Sequence, residues 1–272
     1  MERSDYVFSD RAEEQRRLES QATAFEPLTE RVFRAAGVGP GMRVLDLGSG
    51  AGDVALLAAR LVGSDGEVVG VEHDPEAVAS ATARVAHPGV SNVRFVQGDV
   101  QTLAGVDGEF DAVVGRLVLM YLPDPVAALA RASALLRPGG LVCVQEGDMA
   151  YDWAAPMTPL WTQVRAWFLE TLARVSVAPR MGLSLYSTFL AAGLPVPELR
   201  LECAAGGAAE AGPWGWANVV CGVLPAMEHL GVTTVAELQP DTLAQRLLDE
   251  LLAARGIVIG PPLVGAWART PA

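Results

Sequence analysis

Between Val44 and Glu146 short apolar runs alternate with stretches that carry the three-to-four-residue spacing of an amphipathic helix. The runs predict strands over residues 43–47, 67–72, 92–97, 110–116 and 141–146, with helices over 54–62, 76–85 and 126–136. Apolar side chains fill these runs almost continuously, as expected for strands covered on both faces. Strand–helix alternation of this kind predicts an α/β fold, a doubly wound and mainly parallel sheet with right-handed crossovers. Ligands of such sheets sit beyond the carboxyl ends of the strands.

The flanks read differently. The first 40 residues predict two helices: Asp10 with Glu13 forms a capping box, and Pro27 opens a second helix that stops at Gly37. All six tryptophans lie beyond residue 150. Residues 161–175 and 185–192 predict helices, 197–203 a strand, and 214–254 a mostly helical stretch with a capping box at Thr234 and Glu237. Gly256 follows a Leu-rich helix, and a last strand over 263–268 begins after Pro261 and Pro262. This divides the chain into an N-terminal helical cap (1–40), a core (41–150), a helical lid (151–196) and a final segment (197–272) with a helical insertion over about 205–256.

The 272 residues include 32 acidic and 20 basic side chains, a net charge of −12, and every basic residue other than histidine is Arg. The missing lysine, beside abundant Ala, Gly and Pro, reads as GC-rich coding bias. An acidic balance argues against a chain that grips nucleic acid through its phosphates. Cys143, Cys203 and Cys221 are far apart and form no CxxC pair, so no metal site or disulfide framework is expected. The opening Met1-Glu2-Arg3-Ser4-Asp5 shows no secretory signal, and no apolar run reaches the length of a membrane span. A cytoplasmic location is expected, and the apolar C-terminal half is compatible with a homodimer.

The chemistry concentrates in Val44-Leu45-Asp46-Leu47-Gly48-Ser49-Gly50-Ala51-Gly52-Asp53, a strand entering a glycine loop and then a helix. Glycines at 48, 50 and 52 let the backbone turn tightly and approach a ligand with no Cβ in the way. Asp53 stands where a dinucleotide fingerprint needs its third glycine. Glu72 ends the second strand, placed to accept from two ribose hydroxyls, and Asp99 follows Gly98 at the end of the third, placed to accept from an exocyclic amine. Arg137-Pro138-Gly139-Gly140 forms a turn into the fifth strand. A close-packed turn and solvated strand-end acids would explain each feature singly; their coincidence at three strand ends favours a ligand site.

Together these residues resemble the class I S-adenosylmethionine-dependent methyltransferases over about residues 41–148. The segment Val114–Pro125, ending Leu122-Pro123-Asp124-Pro125, looks like the small-molecule, natural-product branch. The resemblance implies a Rossmann-like seven-stranded sheet whose last strand is antiparallel, with N-terminal helices and a helical cap. It implies S-adenosylmethionine as cofactor and S-adenosylhomocysteine as product. Gly48, Ser49 and Gly50 would line the methionine part, with Asp46 ordering its ammonium. Glu72 would hold the ribose, His73 would pack near the adenine, and Gly98, Asp99 and Val100 would read the adenine edge. Arg116 would border cofactor and acceptor, in a place where small polar residues are frequent.

For the acceptor, the end of strand four carries Gly115-Arg116-Leu117-Val118 and no D/N-P-P-Y segment, which points to small-molecule O-, N- or C-methylation. Glu146, Asp148 and His229 are the candidate bases, each with a plainer alternative: orienting or capping for the carboxylates, surface or packing for the histidine. If the insertions roof the site, Trp153, Trp161, Trp214 and Trp216, with Tyr6 and Tyr121, suit an apolar or aromatic acceptor; singly, each tryptophan suits the core of the cap as well. Two other classes stay open. One is a protein that binds S-adenosylmethionine without methylating, as a cyclase or assembly partner. The other, disfavoured by Asp53 and by the missing Tyr/Lys pair, is an NAD(P)-dependent oxidoreductase.

Overall fold

The structure, a computed structural model, describes residues 25–86, 91–208 and 215–272. The chain divides into two compact units. One comprises Phe25–Gly147, Met181–Leu201 and Leu263–Ala272; the other comprises Asp148–Arg180 and Glu202–Pro262.

The first unit holds a seven-stranded sheet. Its strands are β1 (Arg43–Leu47), β2 (Glu67–Glu72), β3 (Val93–Gln97), β4 (Phe110–Arg116), β5 (Leu136–Gly147), β7 (Glu198–Glu202) and β10 (Leu263–Arg269). They lie in the order β3-β2-β1-β4-β5-β10-β7. β1 pairs in parallel with β2 and β4, β2 with β3, and β4 with β5, whereas β10 runs antiparallel to β5. This is the Rossmann-like sheet with a reversed strand that the sequence predicts.

Helix α1 (residues 25–36) and α2 (Asp53–Val62) cover one face. Val32, Phe33, Leu57 and Leu61 meet Val44, Ala112, Val114, Leu141, Cys143 and Trp267 in one buried cluster. Burial of each large side chain is worth about 1.5–3 kcal/mol, so this layer holds the helices on the sheet. A Cβ on Gly265 would stand 2.6 Å from Val32 Cγ1, so glycine lets α1 lie directly on β10. α3 (Pro75–Val85) and α4 (Pro125–Ser133) start alike: Asp74 and Asp124 cap with their carboxylates, and proline follows where no N–H is needed. The Asp124-Pro125 pair at the close of the segment after β4 is thus a helix start. α6 (Met181–Ala191) lies against β5 and β10.

The second unit is mostly helical: α5 (Pro159–Arg174), α7 (Trp216–Gly222), α8 (Leu224–His229), α9 (Val235–Leu238) and α10 (Pro240–Ala254). The Thr234–Glu237 capping box forms as expected. Three short antiparallel strands, β6 (Ala154–Ala155), β9 (Ile257–Ile259) and β8 (Ala205–Gly207), make a small sheet that the sequence pattern does not announce.

Three local expectations change. The Arg137–Gly140 turn lies inside β5: Phe110 pairs with Leu136 and Ala112 with Leu141, so the turn is an irregularity within a longer strand. α4 consequently stops at Ser133, short of residue 136. After α10 the left-handed position falls on Arg255 (φ 51°), and Gly256 is needed because a Cβ there would press on Leu251 and the Ala155 carbonyl. Among the described residues no helix is long and apolar enough to cross a membrane.

Candidate active site

The covered face of the sheet is apolar until its carboxyl edge. Side chains two residues apart on a strand share a face. Asp46 lies two beyond Val44, Arg116 two beyond Val114, and Gln145 two beyond Cys143, so three adjacent strands end that face in polar groups. The glycine loop starts here. Gly48 and Gly50 sit at φ 61° and 51°, in the left-handed region. A Cβ on Gly48 would stand 2.5 Å from Val118 Cγ2, whereas the space where a Gly50 Cβ would point is open. The loop therefore packs on the segment after β4 at one residue and presents bare backbone at another.

Glu72 fastens the loop to β2. Its Oε2 accepts from the Gly50 amide at 3.0 Å, and its Oε1 accepts from the His73 and Asp74 amides at 2.8 and 3.0 Å. His73 Nδ1 lies 2.7 Å from the same Oε1 while most of the ring is exposed. Burial would raise the Glu72 pKa, but the hydrogen bonds from His73, Asp74 and Gly50 outweigh it and the carboxyl is held below its usual range. The bond to Glu72 pulls the His73 pKa up against partial burial.

Asp46 is fully buried, and neither carboxylate oxygen has a hydrogen-bond partner; the Ser49 hydroxyl is buried and unpartnered too. Burial pushes Asp46 well above the carboxylate range, against the pull of Arg116 and of the Ala55 amide, whose approach falls short of full hydrogen-bond geometry. Buried polar atoms of native proteins are ordinarily satisfied. An acid and a hydroxyl with no internal partner, beside open backbone, fit the polar end of a bound molecule. The Gly98 amide donates to the Glu72 carbonyl at 2.9 Å, and Asp99 is exposed, its Oδ1 accepting from the Gln101 amide at 2.7 Å. Val100 is buried beside it. Asp53 opens α2 and pairs with Arg84 at 2.8 Å.

The candidate bases separate. Glu146 is fully buried at the end of β5, with Oε1 accepting from the Val118 and Leu119 amides at 2.9 and 2.7 Å and Oε2 unpartnered. Burial, opposed by these amides, raises its pKa to about 7. It holds the turn that Gly48 packs against. Asp148 belongs to the helical unit, where it accepts from the Ala150 amide at 2.9 Å and faces Arg180 at 3.6 Å. His229 is exposed at the last turn of α8.

The aromatic candidates are placed as follows. Tyr121 ends the short turn Leu119–Tyr121 after β4 and is 37% exposed. Trp153, Trp161 and Trp216 are buried in the helical unit, and each indole N–H donates to a backbone carbonyl, of Met149, Leu247 and Ile259 respectively, at 3.0 Å. Trp153 and Trp216 stack with centroids 3.8 Å apart, and Phe168 meets them edge-on. Within their unit these three are core side chains. Tyr6 and Trp214 lie outside the described residues. Among the described residues no group of three or more His, Cys, Asp or Glu side chains could hold a metal ion.

Two polar residues at this edge escape sequence reading. Arg116 Nη1 donates to Thr29 Oγ1 at 3.1 Å, and Thr29 Oγ1 lies 2.7 Å from Gln145 Oε1. Gln145 was legible in principle, as one of two consecutive polar residues closing an apolar strand. Thr29 sits among the apolar positions of α1 and carries no comparable signal.

The profile of a family described as a methyltransferase domain matches residues 39–178, just over half of the chain. An arsenite methyltransferase of Halobacterium salinarum is 38% identical over 111 residues, 41% of this chain and 28% of its own. A demethylmenaquinone methyltransferase of Staphylococcus aureus is 31% identical over 141 residues, 52% of this chain and 55% of its own. The chain thus spans about half the length, or less, of the curated relatives it matches. Among solved structures, the YcgJ protein of Bacillus subtilis superposes with a TM-score of 0.56 at 19% identity, over 92% of this chain and 99% of that one, a likeness of fold.

Proposed function

Because the chain belongs to the class I S-adenosylmethionine-dependent methyltransferase family, we propose that it moves a methyl group to an O, N or C atom of an apolar or aromatic small molecule. When bound, S-adenosylmethionine supplies a methyl carbon already activated by its sulfonium. What remains for the chain is to bind, align and exclude water. The observation that carries the reading is the Asp46 carboxylate, buried without a partner beside the open backbone of Gly50. Asp46 would take the ammonium of the donor, the Gly48–Gly50 backbone its methionine part, Glu72 the ribose hydroxyls, and Asp99 with Val100 the adenine edge. His73, tied to Glu72, would form a wall beside the base.

The acceptor class rests on the end of β4, where Gly115-Arg116-Leu117-Val118 supports small-molecule methylation, in natural-product biosynthesis on our reading. A strong base is not required by this placement. Glu146 holds backbone amides, so we assign it to positioning the turn after β4. Purified protein incubated with methyl-labelled S-adenosylmethionine and a panel of phenols, amines and enolisable ketones should release S-adenosylhomocysteine with at least one acceptor. Tight donor binding with no turnover across the panel would instead support a protein that binds the nucleoside without methylating.

A further inference from the structure

The face of the sheet opposite α1 carries a surface that the donor site does not use. α6 lies on it: a Cβ on Gly182 would stand 3.1 Å from Val264 Cγ2, and Val264 neighbours Gly265, which meets Val32 of α1 on the other face. Among the described residues β7 is the last strand of the sheet, beside β10. Arg200 Nη1 donates to the Arg31 carbonyl of α1 at 3.4 Å, so Glu198 and Arg200 lie on the α1 face, and Leu199 and Leu201 on the face of α6. Six of the ten large apolar side chains that stand exposed among the described residues fall here. Leu183, Tyr186 and Leu190 share one flank of α6, Val196 lies in the connection, and Leu199 and Leu201 are on β7. Each is between 43% and 65% exposed. Exposed apolar residues scattered singly are ordinary, but these share one helix, one turn and one strand. In a chain of net charge −12, no charged residue occurs from Met181 to Pro197. The outer side of a helix that faces only water is ordinarily polar or charged.

We propose that this α6–β7 face joins two copies of the chain, with β7 of one copy running antiparallel along β7 of the other. Six side chains of this size, about half exposed, offer on the order of 500 Å² of apolar surface, the larger part of the ~800 Å² per partner that a stable interface buries. Charge selects a second copy as the occupant. Two acidic molecules repel over most of their surfaces, and least where neither carries charge. β7 adds the attraction, because Glu198-Leu199-Arg200-Leu201-Glu202 is complementary to itself. The side-chain period of two requires the two-fold axis of such a pairing to pass through a residue of the strand. Centred on Leu199 or on Leu201, it sets that leucine on its own copy and each Arg200 opposite a glutamate of the other copy. Centred on Arg200, it would set arginine on arginine, so the charges exclude that register.

Sedimentation velocity on the full chain, from about 1 to about 100 μM, tests this. Wild type should sediment as a dimer within that range. The double variant Y186D/L199E should weaken association by about tenfold or more. R200E, which sets glutamate opposite glutamate, should weaken it as well, and the charge-reversed strand E198R/R200E/E202R should regain most of that loss. Thermal melts check the fold of each variant; should Y186D/L199E unfold, Y186S/L199S makes the same comparison. A wild type that stays monomeric at the upper concentration overturns the proposal, whether the face is then covered by another protein or by residues 1–24. A dimer that the Tyr186 and Leu199 variants leave intact overturns it too, since its interface lies elsewhere. Association indifferent to R200E, or lost in R200E and not regained by the charge-reversed strand, removes the pairing along β7 and with it the proposal. The readout is mass, so the result is independent of the donor-site reading.

Discussion

The Gly50 amide donates to the Glu72 carboxylate at 3.0 Å, so the glycine loop after β1 and the acid that ends β2 form one rigid corner. Glu72 is therefore both a scaffold and, on our reading, a ligand for ribose. E72A should lower stability by about 1–3 kcal/mol through the loss of charge-assisted hydrogen bonds to three amides. It should lower the affinity for S-adenosylhomocysteine by more than tenfold. Denaturant unfolding and titration calorimetry on the same preparation separate the effects. Unchanged affinity would remove Glu72 from the ribose.

Glu146 sets a dependence on pH. Its folded pKa is about 7 against 4.5 for an unconstrained carboxyl. The folded state thus holds this proton more tightly. The contribution is full below the unfolded value and is lost as pH rises through about 7, to a limit of about 3 kcal/mol. E146Q keeps an acceptor for the Val118 and Leu119 amides and removes the titration. Between pH 5 and 8 the melting temperature of wild type should fall further than that of E146Q. Parallel profiles would mean that Glu146 is ionised throughout.

The Trp153–Trp216 stack anchors the helical unit. W153A removes a fully buried indole, its bond to the Met149 carbonyl and the stacked face of Trp216. A loss of about 3–5 kcal/mol is expected from a cavity of that size. Equilibrium unfolding in urea measures it, and a loss below about 1 kcal/mol would contradict a core role.

The centre of the sheet was legible because β1, β2 and β4 are buried and read as nearly unbroken apolar runs; these three have the bounds that the sequence predicts. The small sheet was not, since Ala154–Ala155 and Ala205–Gly207 are too short and too poor in β-branched side chains to show alternation. At the site, the strand-end rule brings Asp46, the glycine loop and Glu72 to one corner. It does not distinguish a carboxylate that faces a ligand from one that caps backbone. Glu146 and Asp148 turn to nearby amides because the chain bends sharply there and leaves N–H groups without sheet partners. The coupling of Arg116 to Thr29 and Gln145 depends on register between strands and on a helix contact, neither of which a linear pattern contains.

The central claim is tested most directly by a crystal structure of the protein with S-adenosylhomocysteine. The account predicts the amino-acid end of the nucleoside at Asp46 and Gly48–Gly50, and its ribose hydroxyls on the Glu72 carboxylate. Density elsewhere on the chain, or a nucleoside that leaves both carboxylates untouched, would contradict it.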